Sequence, residues 1–103
     1  MTVDEIRRTV LAADPFASHY RSTTRNRDYT TWREYLEIPL EGDDIPAEEA
    51  WAFQVDRFTK EEEDPVAKEL RRVLNAHPGI GVEHRILPDP DGWIHHVFTC
   101  RGL

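Results

Sequence analysis

Apolar and polar side chains alternate through the middle of the chain, over 50-AWAFQVDRFT-59. Trp51, Phe53 and Val55 fall on one side of an extended backbone, because successive side chains of a strand point to opposite faces. Gln54 and Asp56 fall on the other side. This period is typical of a half-buried strand, and aromatic and β-branched residues favour strands. We therefore predict a strand over residues 50–59 and place it at the centre of a sheet.

The same region has a helical alternative. The segment 46-PAEEA-50 has the composition of a first helical turn, and a helix beginning there would continue through Trp51. We prefer the strand because Trp51, Phe53 and Val55 are strand-forming residues in strict alternation. A helix at this place would remove the central strand and the topology built around it.

Two helices are predicted from apolar residues at helical spacing. The first covers residues 3–13 and begins with a capping box, in which Thr2 accepts an amide hydrogen bond and Glu5 reaches back to the cap. The second covers residues 65–77 and follows Asp64, a residue type that caps helix N-termini.

Three further strands complete the prediction, over residues 29–38, 81–87 and 93–101. The last two are joined by the turn 88-PDPDG-92, whose Asp-Gly pair is a strong hairpin signal. Residues 15–28 are polar and locally basic, and we predict a long loop there.

The predicted element order is α-β-β-α-β-β, in a single domain over residues 1–103. We expect an α+β fold with a four-stranded, mostly antiparallel sheet and helices packed on one face. Bulky aromatic residues occur in both alternating sets of the strands. The face without helices is therefore expected to be covered in an assembly.

Composition and charge exclude several classes of function. The net charge of −7 opposes binding to a nucleic-acid backbone or to an anionic membrane surface. No apolar run approaches the roughly 20 residues of a membrane span, and the N-terminus lacks the basic and apolar regions of a signal peptide. With Cys100 as the single cysteine, no intrachain disulfide can form, which fits a reducing compartment.

Candidate catalytic and metal-binding residues are few. His84 could lie across from His95 or His96, but the latter two point to opposite faces of a strand. Spacings typical of metal ligands and of phosphate-binding loops are missing, and Cys100 lies at a core-facing position. We therefore favour structural or surface histidines and expect neither enzymatic activity nor a metal or other cofactor.

Charged loops are the candidate contact residues for a partner protein. Acidic residues cluster before the central strand and before the second helix, and basic residues lie in the loop that precedes the first strand. The predicted interface residues are Glu41, Asp43, Asp44, Glu61, Glu62, Glu63, Arg25 and Arg27. Solvated surface charge is the alternative interpretation for both acidic loops.

Several segments together resemble one family, the tail-completion or tail-terminator proteins of long-tailed bacteriophages and prophages. They are 29-YTTWREY-35, Pro39, Asp43-Asp44, 53-FQVDRFTK-60 and 88-PDPDGWIHHVF-98. The resemblance covers about residues 29–100, and none of these motifs is catalytic. The chain departs from the family pattern at Asp91, where the family often has threonine.

The resemblance implies structural work without bond chemistry. Such proteins form a ring, usually hexameric, at the head-proximal end of the tail tube. They stop tube polymerisation and join the tail to the neck. The implied partners are further copies of the chain, the tail tube protein and a neck or head-completion protein. The implied location is the cytoplasm of a bacterial host and later the virion tail.

A small acidic inhibitor is the alternative function. An anti-CRISPR protein, a nuclease inhibitor or an immunity protein would have similar size and charge, and would bind a basic surface of its target. A nucleic-acid mimic should concentrate acids on one surface. Here the acids cluster in two loops and stand beside 13 basic residues, which lowers this alternative.

Overall fold

A computed structural model describes residues 1–22, 27–39 and 49–103 of the chain. Two helices and five strands form in this part of the chain. They are α1 (Val3–Ala13), β1 (Ser18–His19), β2 (Tyr29–Glu37), β3 (Trp51–Thr59), α2 (Pro65–Ala76), β4 (Ile80–Pro88) and β5 (Ile94–Gly102). No helix in the described ranges is long and apolar enough to cross a membrane.

The strands form one sheet in the order β1-β2-β3-β5-β4, so β3 lies at its centre. The pairs β2–β3, β3–β5 and β4–β5 are antiparallel, whereas β1 pairs with β2 in parallel. The predicted α+β class is confirmed. The prediction of four strands was wrong, because the sheet has five. Three of its four strand pairs are antiparallel and one is parallel, so the sheet is mixed.

The additional strand lies in the segment 15–28, which was predicted to be a loop. Only Ser18–His19 pairs with β2, a length too short for a side-chain period to reveal. Stacking holds it in place, since the His19 ring lies 3.9 Å from the Trp32 ring and 4.0 Å from the Tyr20 ring. The His19 Nε2 atom also lies 2.7 Å from a carboxylate oxygen of Glu34.

The helical alternative for the central segment is wrong from Trp51 onward, since Trp51–Thr59 is a strand paired on both sides. Its predicted first turn falls partly on residues 46–48, which lie outside the described residues. Each partner strand keeps its register with β3 over most of its length, so the alternation read from the sequence corresponds to two faces of a sheet.

Both helix starts follow from their capping residues. Thr2 Oγ1 accepts a hydrogen bond from the Glu5 amide at 3.1 Å, and Asp64 accepts from the amides of Val66 and Ala67. Pro65 occupies the first position of α2, where no amide donor is needed.

The hydrophobic core lies between the two helices and one face of the sheet. Alternate residues of β3 point into it, and its register partners on β2 and β5 point the same way. The buried core residues are Ile6, Val10, Trp32, Phe53, Val55, Leu70, Leu74, Ile80, Phe98 and Cys100. Both helices therefore cover the same face of the sheet.

A β-bulge in β2 changes which face its second half presents. Glu34 pairs with Phe53, but Leu36 pairs with Ala52, so the register shifts between them. Simple alternation predicts that Leu36 shares a face with Trp32. The shift instead places it on the opposite side, where it is 54% exposed.

We predict that Leu70→Ala lowers the free energy of unfolding by about 2–5 kcal/mol, because Leu70 is fully buried and its removal leaves a cavity. Urea denaturation followed by circular dichroism would measure the change. Leu103→Ala is the matched control, since Leu103 is largely exposed, and it should leave the midpoint unchanged. Equal midpoints for the two variants would contradict the assigned core.

Candidate functional site

The face of the sheet opposite the helices is the first candidate site, and we call it the open face. No described helix packs on it. Its central residues come from β2, β3 and β5 in register, and are Tyr29, Thr31, Arg33, Gln54, Asp56, Phe58, His95, Val97 and Thr99. A sheet face of this kind meets either solvent or a partner.

A row of stacked rings crosses the open face. Tyr29 lies opposite Phe58, and Phe58 lies opposite His95, on three adjacent strands. The ring centroids are 4.6 Å apart in the first pair and 4.0 Å apart in the second. All three side chains are half-buried by their neighbours, and their outer surfaces remain accessible. The row forms a rigid aromatic surface, and aromatic residues are enriched at protein interfaces.

Asp56 holds one end of this row in place through its contact with His95. Only 7% of the residue is exposed, and its carboxylate accepts hydrogen bonds from Gln54 Nε2 at 2.9 and 3.1 Å. The same carboxylate lies 2.7 Å from His95 Nε2, which is a hydrogen-bonding distance. Because the His95 ring is held at its nitrogen and stacked on Phe58, the row is ordered without any partner.

The helix-side face carries a buried charge cluster centred on Arg57. Its Nε atom donates to Asp64 Oδ2 at 2.8 Å, and its Nη1 atom donates to Thr30 Oγ1 at 3.3 Å. The carboxylates of Asp14 and Asp28 lie 3.8 Å from the guanidinium. We call these five residues the Arg57 cluster. It links the end of α1 and the start of α2 to the centre of the sheet.

A cleft of about 330 Å³ opens beside the Arg57 cluster. Phe16 lies at this cleft and is 89% exposed, and Arg27 lines it as well. The polar groups of the cluster already bind one another, so we assign the cluster a structural role.

A histidine pair joins β4 to β5 on the helix side. His84 Nε2 lies 3.0 Å from His96 Nδ1, so one nitrogen donates and the other accepts. The His84 ring also stacks on Phe98 at 4.2 Å. His96 is buried, and within the described residues its Nε2 atom has no hydrogen-bond partner.

Burial lowers the pKa of both histidines. For His84, desolvation is the main cause, and the nearby charges of His96 and Arg71 act in the same direction. For His96, desolvation again dominates, with Asp64 opposing it and Arg57 and His95 reinforcing it. The pair is therefore held in the neutral form at neutral pH.

Among the described residues, the histidines belong to no metal-binding cluster. Within the ranges that the structure describes, no three side chains of ligand type converge on a point. His95 lies on the open face, away from the pair, as the sequence predicted for adjacent strand residues. Desolvation raises the pKa of the buried Cys100 thiol to about 12, which disfavours a thiolate nucleophile.

Four of the eight predicted interface residues, Arg27, Glu61, Glu62 and Glu63, lie in the part of the chain that the structure describes. Glu62 and Glu63 line a cleft of about 180 Å³ beside His84 and His96, and Arg27 lines the separate cleft beside Arg57. Glu61, Glu62 and Glu63 are exposed, and Glu63 pairs with Lys68 at 2.5 Å. The other predicted contacts, Glu41, Asp43, Asp44 and Arg25, lie outside the described residues. Their role at an interface stays a prediction.

Sequence reasoning missed the Arg57 cluster, although a signal for it is present. Arg57 continues the alternating set of Phe53 and Val55, so it was bound to point into the helix-side layer. A charge at such a position requires buried counter-charges. The partners of Arg57 are aspartates at helix ends and in a loop. Aspartates in such positions are common on protein surfaces, so the sequence does not mark these as buried.

We predict that Arg57→Met lowers the free energy of unfolding by roughly 3–5 kcal/mol, since it leaves the buried carboxylates without their counter-charge. Chemical denaturation at neutral pH would measure this. Arg72→Met is the control, because Arg72 pairs with Glu69 on the exposed side of α2 and should hardly matter. If Arg57→Met left the free energy of unfolding unchanged, the structural role of the cluster would be refuted.

Stability should also fall when the histidine pair is protonated. Both pKa values are lower in the folded state than the usual 6.5, so the unfolded chain binds protons first as the pH falls. The contribution is complete above about pH 6.5 and is lost as the pH falls through that value toward the folded pKa.

Denaturation midpoints between pH 8 and pH 5.5 would test this expectation, a range in which ordinary carboxylates stay largely ionised. The wild-type midpoint should decline with acidification, and His84→Gln should decline less steeply because one of the two titrating groups is gone. A midpoint that rises on acidification would contradict the assignment.

Comparison of the chain with models of known protein families and with curated proteins finds no match. Function therefore has to be inferred from the open face, the charge distribution and the sequence motifs.

Proposed function

We propose that the chain is a non-enzymatic structural protein of a long-tailed bacteriophage or prophage. In this proposal it assembles into a ring that caps the tail tube and helps to join the tail to the head. The observation that carries the proposal is the open face, where a preorganised row of aromatic rings lacks cover from any described helix.

The open face supports assembly on physical grounds. Exposed aromatic surface that is held rigidly costs little conformational entropy on binding. Tyr29, Phe58 and His95 are already fixed by stacking and by the hydrogen bond to Asp56. Leu36 adds exposed apolar surface on the same side because of the bulge in β2. A neighbouring subunit would bury these groups in a ring.

The motif residues behind the family resemblance have structural roles in this fold. Phe53 and Val55 are buried in the core, whereas Gln54 and Asp56 form the hydrogen-bonded floor of the open face. One short motif thus builds both sides of the central strand. This distribution supports a role in architecture and assembly, which is what the tail-completion family would require.

The proposed partners follow from the same assignment. They are further copies of the chain in a ring, with six as the family's usual number, the tail tube protein, and a neck or head-completion protein. The proposed location is the cytoplasm of the bacterial host during assembly and the tail of the finished virion.

An inhibitor that binds a basic surface of its target is the second candidate. The exposed row Glu61, Glu62 and Glu63 favours it. However, Glu63 is paired with Lys68, and Glu69 on α2 is paired with Arg72, so basic residues stand beside these acids on the described surface. We rank this function below ring assembly.

We predict that the purified chain forms particles of more than two copies as its concentration rises, and that negative-stain images show closed rings. Multi-angle light scattering at low and high salt would give the mass. Phe58→Thr should abolish these particles, since it removes the centre of the aromatic row while keeping a strand-forming residue. Phe16→Thr is the matched control, because Phe16 is exposed, lines the cleft beside the Arg57 cluster and is not part of the stacked row.

Two outcomes would count against ring assembly. One is a wild-type mass that never exceeds two copies, together with no binding to preformed tail tubes from a phage that encodes the chain. The other is an equal loss of particles in both phenylalanine variants, which would show that the open face has no special part.

A further inference from the structure

The outer edge of the sheet at β4 is a second surface with unused bonding capacity. β4 pairs with β5 on one side, and no described strand lies on its other side. It is nine residues long, and most of its side chains are exposed. An exposed edge of this length is a template for pairing with another strand.

The phase of the hydrogen-bond ladder identifies the unused backbone groups. Just beyond the two ends of the β4–β5 pair, the Asp89 amide donates to Trp93 O at 2.8 Å and the Leu103 amide donates to Gly79 O at 2.9 Å. Because hydrogen-bonded pairs alternate along an antiparallel ladder, the odd-numbered residues of β4 bond to β5. The even-numbered residues direct their backbone groups outward.

Three of these even-numbered residues can offer both groups, and they are centred on His84. Val82, His84 and Ile86 each have an outward amide and carbonyl. The set is closed at one end by Pro88, which has no amide hydrogen. It is closed at the other end by Ile80, whose amide already donates to His77 O at 3.2 Å.

We infer that β4 pairs in antiparallel fashion with β4 of a second copy of this chain, about a two-fold axis at His84. In that register Val82 lies opposite Ile86 of the second copy, so apolar residues meet on the helix side. On the open-face side, Glu83 of each copy lies opposite Arg85 of the other, and Gly81 leaves room for Leu87.

Charge complementarity selects this register over its neighbours. A shift of the axis to residue 83 puts Glu83 opposite Glu83, and a shift to residue 85 puts Arg85 opposite Arg85. Like charges directly opposite each other are unfavourable, whereas opposite charges are favourable. Within one chain Arg85 Nε already lies 2.8 Å from Glu83, so the pairing would join two such ion pairs into an alternating group of four.

This inference goes beyond the proposed function and holds whether or not the chain acts in a phage tail. The competing interpretation is that Glu83, Arg85 and Pro88 protect the edge from pairing, as charges and prolines often do. The two interpretations differ in one measurable respect, because protection does not depend on which of the two positions carries which charge.

Charge exchange is the decisive experiment. Sedimentation velocity should show a reversible dimer of the wild type between the low micromolar and the millimolar range. Glu83→Arg and Arg85→Glu should each weaken dimerisation by about tenfold, because each creates two like-charge pairs across the axis. The double exchange Glu83→Arg with Arg85→Glu restores opposite charges and should recover the wild-type constant. Thermal melting would show that the variants remain folded.

Disulfide trapping would test the register separately. Residues 83 and 85 of the two copies form a non-hydrogen-bonded pair, with Cα atoms about 4.5 Å apart, which a disulfide can span. Oxidation of a mixture of Glu83→Cys and Arg85→Cys chains should therefore trap a heterodimer. A mixture of Glu83→Cys with Arg72→Cys, on the exposed side of α2, is the control and should trap little. The native Cys100 is buried and does not interfere.

The results separate the two surfaces. Recovery of the dimer in the double exchange, with selective trapping, supports the pairing of β4. A wild type without a two-copy species, a double exchange that stays monomeric, or equal trapping in both mixtures would each overturn it. Phe58→Thr should leave the two-copy species intact, so failure of ring assembly and failure of edge pairing can be told apart.

Discussion

The buried guanidinium of Arg57 is the interaction on which the arrangement of elements depends. It stands on the central strand and binds Asp64, the capping residue of α2, while Asp14 at the end of α1 and Asp28 before β2 face it at 3.8 Å. Hydrophobic packing brings the helices onto the sheet without specifying where each helix ends. The hydrogen bonds from Arg57 to Asp64, and its ion pairs with Asp14 and Asp28, add that specification.

The same strand explains why one face of the sheet is closed and the other is open. Phe53, Val55 and Arg57 point from β3 towards the helices, and the buried core lies on that side of the sheet. On the other side of β3, Gln54 and Asp56 are hydrogen-bonded to each other, and Phe58 belongs to the row of stacked rings. Desolvating Asp56 is offset only because Gln54 and His95 bind its carboxylate. Aromatic rings that are partly exposed and held in place by buried hydrogen bonds suit a protein contact better than they suit exposure to solvent.

Much of this fold could be predicted from local signals. The alternation of β3, the caps at Thr2 and Asp64, and the Asp-Gly turn before β5 each act within a few residues and are readable from the sequence. The misses have non-local causes. β1 exists because His19 stacks on Trp32, which lies 13 residues further along the chain. Leu36 changes face because a bulge forms against β3.

The candidate site was harder to predict for a related reason. In the sequence, the charge runs of the loops and the histidines are the conspicuous candidates for an interface and for chemistry. The residues of the open face become neighbours only when the strands pair, so their contacts cannot be seen in the sequence. Tyr29, Phe58 and His95 are far apart in sequence and adjacent on the sheet. His84 and His96 pair diagonally across two strands, at a distance that spacing rules for metal ligands do not cover.

The two proposed contacts are geometrically compatible, and this follows from the phase of the strands. An axis centred on His84 places residues of equal parity opposite each other, so the helices of both copies lie on the same side of the combined sheet. The open faces then lie together on the other side. By register, Leu87 extends the aromatic row from His95 to the edge. Pairing at β4 would therefore leave the aromatic surface free and present two copies of it side by side, available for further assembly.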